Sequence, residues 1–259
     1  MTGRKHGGFV LQDRDRHLLS ELDIMRILDR EMAKVVGGFR STRRANCRLL
    51  QLTQAGLLRR FFVGSVAHGR KAVYTLSPKG TDLVNAKLGG IVRPQGRLIV
   101  GDRFVEHQNG INQIYLAVKY RSTVQAGIRL LRWIVFRSAI SETIRLSPDG
   151  YFELGTGEAV ASMFVEVDLG TEALSVWKQK TTSYLQLAVS GEFQRRFRQP
   201  QFRVLVVAAS ERRLANIRAT IFESTDKIFR FTTFDNIHRD GFWSPIWLRP
   251  SGGQLQSLL

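Results

Sequence analysis

Cysteine is almost absent from this chain of 259 residues, because Cys47 is the single one. One cysteine excludes an internal disulfide framework and a zinc site built on cysteine ligands. Long apolar runs are missing too: the longest, near Trp133, is interrupted by arginines, and none approaches the roughly 18 residues that a membrane-spanning helix needs. The start MTGRKHGG is not followed by an apolar stretch of signal-peptide length. We therefore expect a cytoplasmic protein with no membrane partner.

Acidic residues are scarce, with 22 Asp and Glu against 39 Lys and Arg, and the net charge is +17. The hydrophobic fraction of 43% is typical of a folded protein. Clustered cations bind nucleic acid by displacing counterions from phosphates, so the charge predicts a polyanionic partner. Residues 1–90 carry net +10 and residues 91–259 net +7, so the net positive charge per residue is more than twice as high in the first third. At roughly 100–200 residues per domain, the length favours two domains.

Apolar residues at helical spacing predict helices over about 14–22, 24–36 and 42–56, the last capped by Ser41–Thr42. In the third helix we expect Leu49, Leu50 and Leu52 to face the core and Cys47 to pack as a small residue. Two β-rich runs, 58–63 and 71–76, are joined by GSVAHGR, and a short helix near 81–86 follows. This order is typical of a winged helix-turn-helix, which we predict for residues 9–90.

The third helix of such a domain enters the major groove of DNA, and its hairpin lies along the backbone. Arginine, lysine, asparagine and histidine side chains on these elements have the right chemistry for phosphates and base edges. The candidate DNA contacts are Arg43, Arg44, Asn46, Arg48, Arg59, Arg60, His68, Arg70 and Lys71. The alternatives are a solvated helix face and a module that binds protein.

The remainder predicts a linker at 91–105 and a mixed α/β domain at 106–250. That domain is expected to begin with a helix over 107–120 and to contain strands near 130–137, 151–154 and 162–169. Thr171 is expected to cap the helix that follows these strands. The tail SGGQLQSLL is expected to fray.

Three carboxylates lie in or beside the predicted strands: Asp149, Glu166 and Asp168. A carboxylate inside an apolar strand is costly unless it is paired, protonated or bound to a metal. Because the pattern predicts that two of the strands form a hairpin, the acids are expected to converge, which predicts a divalent-cation site. The alternative is that they pair with arginine or lysine in an inactive core.

An Asp at a strand start followed by E-x-D on the next strand matches the core of PD-(D/E)xK nucleases, a helix, a mixed sheet and a second helix that hold Mg²⁺. Asp149 and Glu166 are then direct metal ligands, and Asp168 is a ligand or acts through a water. Mn²⁺ is an alternative ion. Asp168 stands where the pattern expects the lysine that stabilises developing charge. Lys180 from the next helix is the first candidate to replace it, and Lys178 the second.

Several motifs along the chain point to one family. They are DRDR at 13–16, the segment 57–80 ending YTLSPKG, HQNGIN with His107 and Asn112, SETIRL with Glu142, Pro148–Asp149, and FVEVDLGTE at 164–172 with Lys180 and Tyr184 after it. With these motifs the chain resembles, over about residues 9–250, the replication-relaxation family of plasmid and mobile-element proteins. The resemblance implies a winged helix joined to a restriction-endonuclease-like domain, and a role in plasmid replication or DNA relaxation. The site residues that it implies are His107, Glu142, Asp149, Glu166, Asp168, Glu172, Lys180 and Tyr184.

Two functional hypotheses follow. In the first, the protein binds duplex DNA and nicks or relaxes it with Mg²⁺. In the second, it is a non-catalytic DNA-binding regulator or replication accessory factor, in which the nuclease fold clamps DNA or dimerises. The partners implied are double-stranded DNA, a second copy of the chain in a homodimer, and replication or mobilisation proteins, with the protein located on plasmid or nucleoid.

Overall fold

A computed structural model describes residues 9–64, 69–87, 101–120, 127–136, 138–157 and 159–259. The chain forms two compact units that divide after Leu116. The division lies further along than the linker expected at 91–105, most of which falls outside the described residues. The reason is that Asn112 and Tyr115 belong to the first unit: the Asn112 Nδ2 donates to the carbonyl of Ile27 at 2.8 Å, and the Tyr115 hydroxyl donates to Glu21 at 2.6 Å.

The first unit begins with helices and continues into a two-stranded antiparallel sheet. Its elements are α1 (Asp13–Met25), α2 (Arg30–Val36), α3 (Thr42–Gln54), β1 (Leu58–Val63), β2 (Lys71–Leu76), α4 (Pro78–Lys87) and α5 (Asp102–Tyr120), whose last residues pass the division.

The prediction of a single helix over about 24–36 is wrong, because the helical conformation is interrupted between the end of α1 and the start of α2. Leu28 leaves the helical path to exchange backbone hydrogen bonds with Tyr74 of β2. Asp29 then caps α2 by accepting a hydrogen bond from the backbone N–H of Met32 at 2.8 Å. A tertiary backbone pairing of this kind leaves no periodic signal in the sequence.

Helix α3 begins at its expected cap, where the Ser41 hydroxyl accepts from the backbone N–H of Arg44. It buries Ala45, Leu49 and Leu52, which are spaced along one helical face. Leu50 and Cys47 lie off that face and are exposed, so the expectation that they pack is wrong.

The second unit is a five-stranded mixed sheet with helices, so the predicted α+β class with a mixed sheet is confirmed at that level. Its elements are β3 (Ile128–Ile134), β4 (Gly150–Thr156), β5 (Ala159–Asp168), α6 (Leu174–Val189), α7 (Glu192–Phe197), β6 (Arg203–Ala208), α8 (Glu211–Phe222), β7 (Phe229–Thr233) and α9 (Phe234–Asp240). The strand order is β3-β4-β5-β6-β7, antiparallel from β3 to β5 and parallel from β5 to β7.

One face of this sheet carries an aromatic core. Phe164 of β5 packs among buried rings that include Tyr151, Tyr184 and Phe202, and Trp177 of α6 joins the same cluster. Because residues alternate between the faces of a strand, Glu166 and Asp168 point to the same side as Phe164. The core therefore places both carboxylates under α6.

Two further expectations on this unit are wrong. The tail does not fray: Gln256 exchanges backbone hydrogen bonds with Trp247, and Leu258 is buried. Thr171 does not cap α6, which starts at Leu174 behind Ala173 without a side-chain cap. Within the described ranges, no helix is both long enough and apolar enough to cross a membrane.

Candidate active site

The site lies where β4 begins and β5 ends. Gly150 of β4 pairs with Val165 of β5, so Asp149, just before β4, stands opposite Glu166. The Asp149 Oδ2 accepts a hydrogen bond from the backbone N–H of Val167 at 2.7 Å, which fixes this carboxylate against β5. The antiparallel hairpin thus brings Asp149 and Glu166 together, as the strand pattern predicts.

Glu166 is fully buried, and two side chains from α6 contact its carboxylate. The Lys180 Nζ donates to Oε2 at 3.0 Å, and the Tyr184 hydroxyl donates to Oε1 at 2.5 Å. Burial raises the pKa of Glu166 to about 7, and the charge of Asp149 raises it as well, although Lys180 and Tyr184 act in the opposite direction. Glu166 is therefore a carboxyl group poised to gain or lose a proton near neutral pH.

Lys180 links two carboxylates. Its Nζ also lies 2.9 Å from Oε2 and 3.0 Å from Oε1 of Glu172, in the loop that leads from β5 to α6. Burial lowers the pKa of Lys180, but Glu166 and Glu172 outweigh it and hold the pKa above its ordinary value, so the ammonium stays charged. Lys178 is exposed and pairs with Glu223 at 2.9 Å instead. Of the two candidate lysines, Lys180 is the one that contacts Glu166.

Asp168 has a different set of partners. Arg213 from α8 donates to both of its oxygens at 2.7 Å, the Trp177 Nε1 donates to Oδ2 at 2.8 Å, and the backbone N–H of Gly170 donates to Oδ1 at 2.7 Å. Burial raises the pKa of Asp168, but the hydrogen bonds from Arg213, Trp177 and Gly170 outweigh it and hold the pKa below its ordinary range. The carboxylate is ionised and its oxygens are occupied by donors.

These contacts change the metal site that the sequence suggests. Within the described residues, no three His, Cys, Asp or Glu side chains are grouped so that they could hold a metal ion. Asp149 and Glu166 remain as a neighbouring pair, whereas Asp168 is tied to Arg213. The expected convergence of three carboxylates is thus reduced to two.

The remaining residues expected at the site are distributed as follows. Tyr184 contacts Glu166 directly, whereas Glu172 contacts Lys180, which joins it to Glu166. Glu142 is exposed in the segment between β3 and β4, and in the described part of the chain no hydrogen bond or ion pair joins it to the site. His107 lies on α5 in the first unit, whereas the carboxylates belong to the second.

Arg213 is the functional neighbour that sequence reasoning missed. It also donates to the backbone carbonyl of Glu172 at 2.5 Å, so it ties the end of β5 to the loop before α6. The available signal was Asp168 itself, because a buried carboxylate requires a cation or several donors. The sequence did not indicate which of its many arginines supplies the charge, since Arg213 is distant along the chain.

The candidate DNA contacts of the first unit fall into two groups. Five arginines and one asparagine are exposed on α3 and on the hairpin; these are Arg43, Arg44, Asn46, Arg59, Arg60 and Arg70. Arg48 instead forms an ion pair with buried Asp15 of α1, and its Nε donates to Oδ1 at 2.8 Å. Lys71 forms an ion pair with buried Asp29. His68 lies outside the described residues.

Comparison with known proteins gives one family and one solved structure. The family model described as replication-relaxation matches residues 15–199. The solved structure is that of restriction endonuclease FokI, with 12% sequence identity and a TM-score of 0.32, covering 85% of this chain and 41% of the other. This chain therefore spans less than half the length of that protein. No curated protein matches. Because the family model covers more than half of the sequence, the chain belongs to the replication-relaxation family.

Proposed function

We propose that this protein binds double-stranded DNA of a plasmid or mobile element and nicks it, with Mg²⁺, in replication or relaxation of that DNA. The observation that carries the proposal is the contact between Lys180 and buried Glu166, with Asp149 opposite. A PD-(D/E)xK site needs two carboxylates and one lysine, and the second unit supplies all three although Asp168 replaces the lysine in the motif.

The chemistry of the donors supports a divalent cation. Mg²⁺ is usually held by one or two carboxylates together with substrate phosphates and waters, so Asp149 and Glu166 suffice as protein ligands. The raised pKa of Glu166 reflects burial and the nearby charge of Asp149, and that second negative charge favours binding of a cation there. A bound Mg²⁺ would neutralise charge on the scissile phosphate. Mn²⁺ is expected to substitute.

The protein's own groups then have distinct roles. Lys180 keeps its positive charge beside the reacting phosphate and offsets the negative charge that develops there. Glu172 and Tyr184 hold the Lys180–Glu166 pair in position by hydrogen bonds. Asp168 does not take part, because Arg213 and Trp177 occupy its oxygens. It is a positioning residue that fixes the end of β5.

The first unit is proposed to bind the duplex as a winged helix. Its order of three helices and an antiparallel hairpin supports this, as do the exposed Arg43, Arg44 and Asn46 on α3. Arg59, Arg60 and Arg70 would then contact the backbone. We leave Arg48 and Lys71 out of the proposed DNA contacts, because Asp15 and Asp29 already neutralise their charges. The homodimer and the mobilisation partners stay predictions from the sequence.

The second candidate function is a non-catalytic DNA-binding accessory factor. One observation favours it: both oxygens of Glu166 already accept hydrogen bonds, from Lys180 and Tyr184, as in an inactive ion-paired core. The two functions share DNA binding and differ only in cleavage.

A nicking assay separates them. Supercoiled plasmid carrying the element's origin is incubated with the protein and Mg²⁺ or Mn²⁺, alongside Asp149→Asn, Glu166→Gln, Lys180→Met and the matched control Lys178→Met. We expect nicking by the wild type and by the control, and a loss of about 100-fold or more in the other three. Wild-type protein that binds the origin and leaves it intact with both ions establishes the accessory role.

DNA binding is tested by fluorescence anisotropy of a labelled duplex over a salt titration. Arg43→Ala and Arg44→Ala together should weaken binding and reduce the slope of log K against log salt by about 0.9 for each phosphate that the variant no longer neutralises. Arg16→Ala is the control, since Arg16 is exposed on α1 beside Asp13. Equal effects of the control and the double variant would show that α3 is not the binding face.

A further inference from the structure

Three arginines stand side by side at one end of the five-stranded sheet. Arg230 of β7 pairs with Leu205 of β6, and Arg203 lies two residues before Leu205, so both arginines point to the same face. Phe231 exchanges backbone hydrogen bonds with Leu248, which places Arg249 opposite Arg230 on the neighbouring segment. Arg203, Arg230 and Arg249 are called the arginine row below.

Among the described residues, no carboxylate neutralises the positive charge of the arginine row. Arg230 is only 6% exposed, and its hydrogen bonds to described residues leave from Nη1, to the carbonyls of Lys227 at 2.8 Å and Phe229 at 2.7 Å. Arg203 donates to the carbonyl of Leu258, and Arg249 is exposed. Across the described ranges, no carboxylate forms an ion pair with any of the three. Carbonyl dipoles are thus the only acceptors that the described chain offers them.

This arrangement is unfavourable without a counter-ion. Like charges opposite each other on neighbouring strands destabilise a sheet, and a buried guanidinium is costly unless it is paired. Burial lowers the pKa of Arg230 to about 10, and the charges of Arg203 and Arg249 lower it as well. Arg48 and Arg213 show the opposite behaviour, because the hydrogen bonds that each donates to a carboxylate raise its pKa.

We propose that the arginine row binds a phosphate group, either a backbone phosphate of nucleic acid or free phosphate. Guanidinium groups form paired hydrogen bonds to phosphate oxygens, so a phosphate would satisfy several of these side chains at once. The site is separate from the carboxylates: Arg203 begins β6, whereas Asp168 pairs with Ala208 at the other end, about 16 Å along the strand. The proposal does not rest on DNA cleavage.

The test compares Arg249→Gln with Arg195→Gln, a control at an exposed arginine of α7. Both positions are at the surface, and circular dichroism verifies that both variants fold. One arm measures the binding of inorganic phosphate by calorimetry at constant ionic strength, and the other measures the binding of a short duplex by anisotropy across a salt titration. Both arms contain EDTA, so their results are independent of any metal-dependent cleavage.

For a nucleic-acid phosphate, Arg249→Gln should weaken duplex binding about tenfold and lower the salt slope by about 0.9, with little change for inorganic phosphate. For free phosphate, the variant should lose about tenfold in phosphate affinity while its duplex affinity stays unchanged. Either result supports the site. If Arg249→Gln equals wild type and Arg195→Gln in both arms, the arginine row binds no phosphate and the proposal is overturned.

Discussion

Glu166 and Asp168 lie two residues apart on the same face of β5, but the structure surrounds them differently. Glu166 faces an ammonium and a phenol from α6, and its pKa is raised to about 7. Asp168 faces the guanidinium fork of Arg213, an indole and a backbone amide, and its pKa is lowered. Both side chains are buried, so the difference arises from the number and charge of the donors that reach each one.

The contrast separates a carboxylate that is held ionised from one that is easily protonated. Asp168 has a bidentate partner that matches its geometry, which makes it a permanent anion joining β5 to α8. Glu166 lies beside Asp149, and the effect of burial on its pKa is larger than the opposing effect of Lys180 and Tyr184. Its charge is therefore easily lost. An additional cation would therefore stabilise the ionised form of Glu166 more than that of Asp168.

The largest effect is expected on replacing the structural carboxylate. Asp168→Asn leaves Arg213 without its charged partner, and breaking a buried pair in this way costs about 3 to 5 kcal/mol of unfolding free energy. Glu166→Gln should cost less, about 1 to 2 kcal/mol, because its amide oxygen can still accept from one of the two donors and Lys180 keeps Glu172 as a partner. Urea unfolding at pH 7 measures both. Equal losses of unfolding free energy would show that the charges of the two carboxylates contribute equally to stability.

The second effect is a pH dependence of opposite sign at the two positions. The unfolded chain releases the Glu166 proton near the ordinary value of 4.5, whereas the folded protein retains it to about 7. The folded state therefore binds more protons in that interval, and its stability falls by about 3 kcal/mol as the pH rises from 4.5 to 7. Asp168, with its lowered pKa, instead costs stability as the pH falls below the ordinary aspartate value of 3.8.

Urea midpoints of the wild type and of Glu166→Gln between pH 4 and 8 check this prediction. Subtracting one curve from the other removes the titrations that the two proteins share. The difference should decline over the interval from 4.5 to 7, and a flat difference would mean that Glu166 titrates in the ordinary range.

The third effect is smaller. Lys180→Met removes the cation beside Glu166, but Glu166 then takes up a proton, which limits the loss to about 1 to 3 kcal/mol. Lys178→Met, on the same helix, breaks only an exposed pair with Glu223 and should cost less than about 0.5 kcal/mol. Thermal unfolding of both variants tests the difference. A Lys180→Met loss that persists undiminished in a Glu166→Gln background would show that the lysine does not act through Glu166.

The sequence allowed most of the second unit to be predicted, for a local reason. Strands β4 and β5 are apolar runs of the predicted hairpin, and α6 follows them directly, so these elements can be predicted from their own residues. Asp149, Glu166 and Lys180 could be brought together because a hairpin and one following helix determine their positions.

The features that could not be predicted from the sequence depend on contacts between residues that are far apart along the chain. The interruption between α1 and α2 follows from a backbone bridge between Leu28 and Tyr74, and the ion pair of Asp168 comes from Arg213 on a later helix. The motif around His107 groups this residue with the site, but α5 belongs to the first unit up to Leu116. In each case the deciding partner is remote in sequence, where neither periodicity nor motif spacing carries information.

The smallest effect tests how Glu166 differs from an ordinary buried acceptor. Tyr184→Phe removes one hydroxyl donor, and the expected loss of about 1 kcal/mol is that of a single hydrogen bond. Tyr115→Phe is a matched control, because the Tyr115 hydroxyl donates to Glu21 in the other unit. The two variants should lose similar stability at pH 7.

Only Tyr184→Phe should also raise the pKa of Glu166, since the Tyr184 hydrogen bond lowers it. Its urea midpoint should therefore go on declining to a higher pH than that of the wild type, because only the upper end of the interval moves. If both variants keep the wild-type pH profile, the Tyr184 hydroxyl holds the fold together without tuning Glu166, and the contrast with Asp168 rests on Lys180 and burial alone.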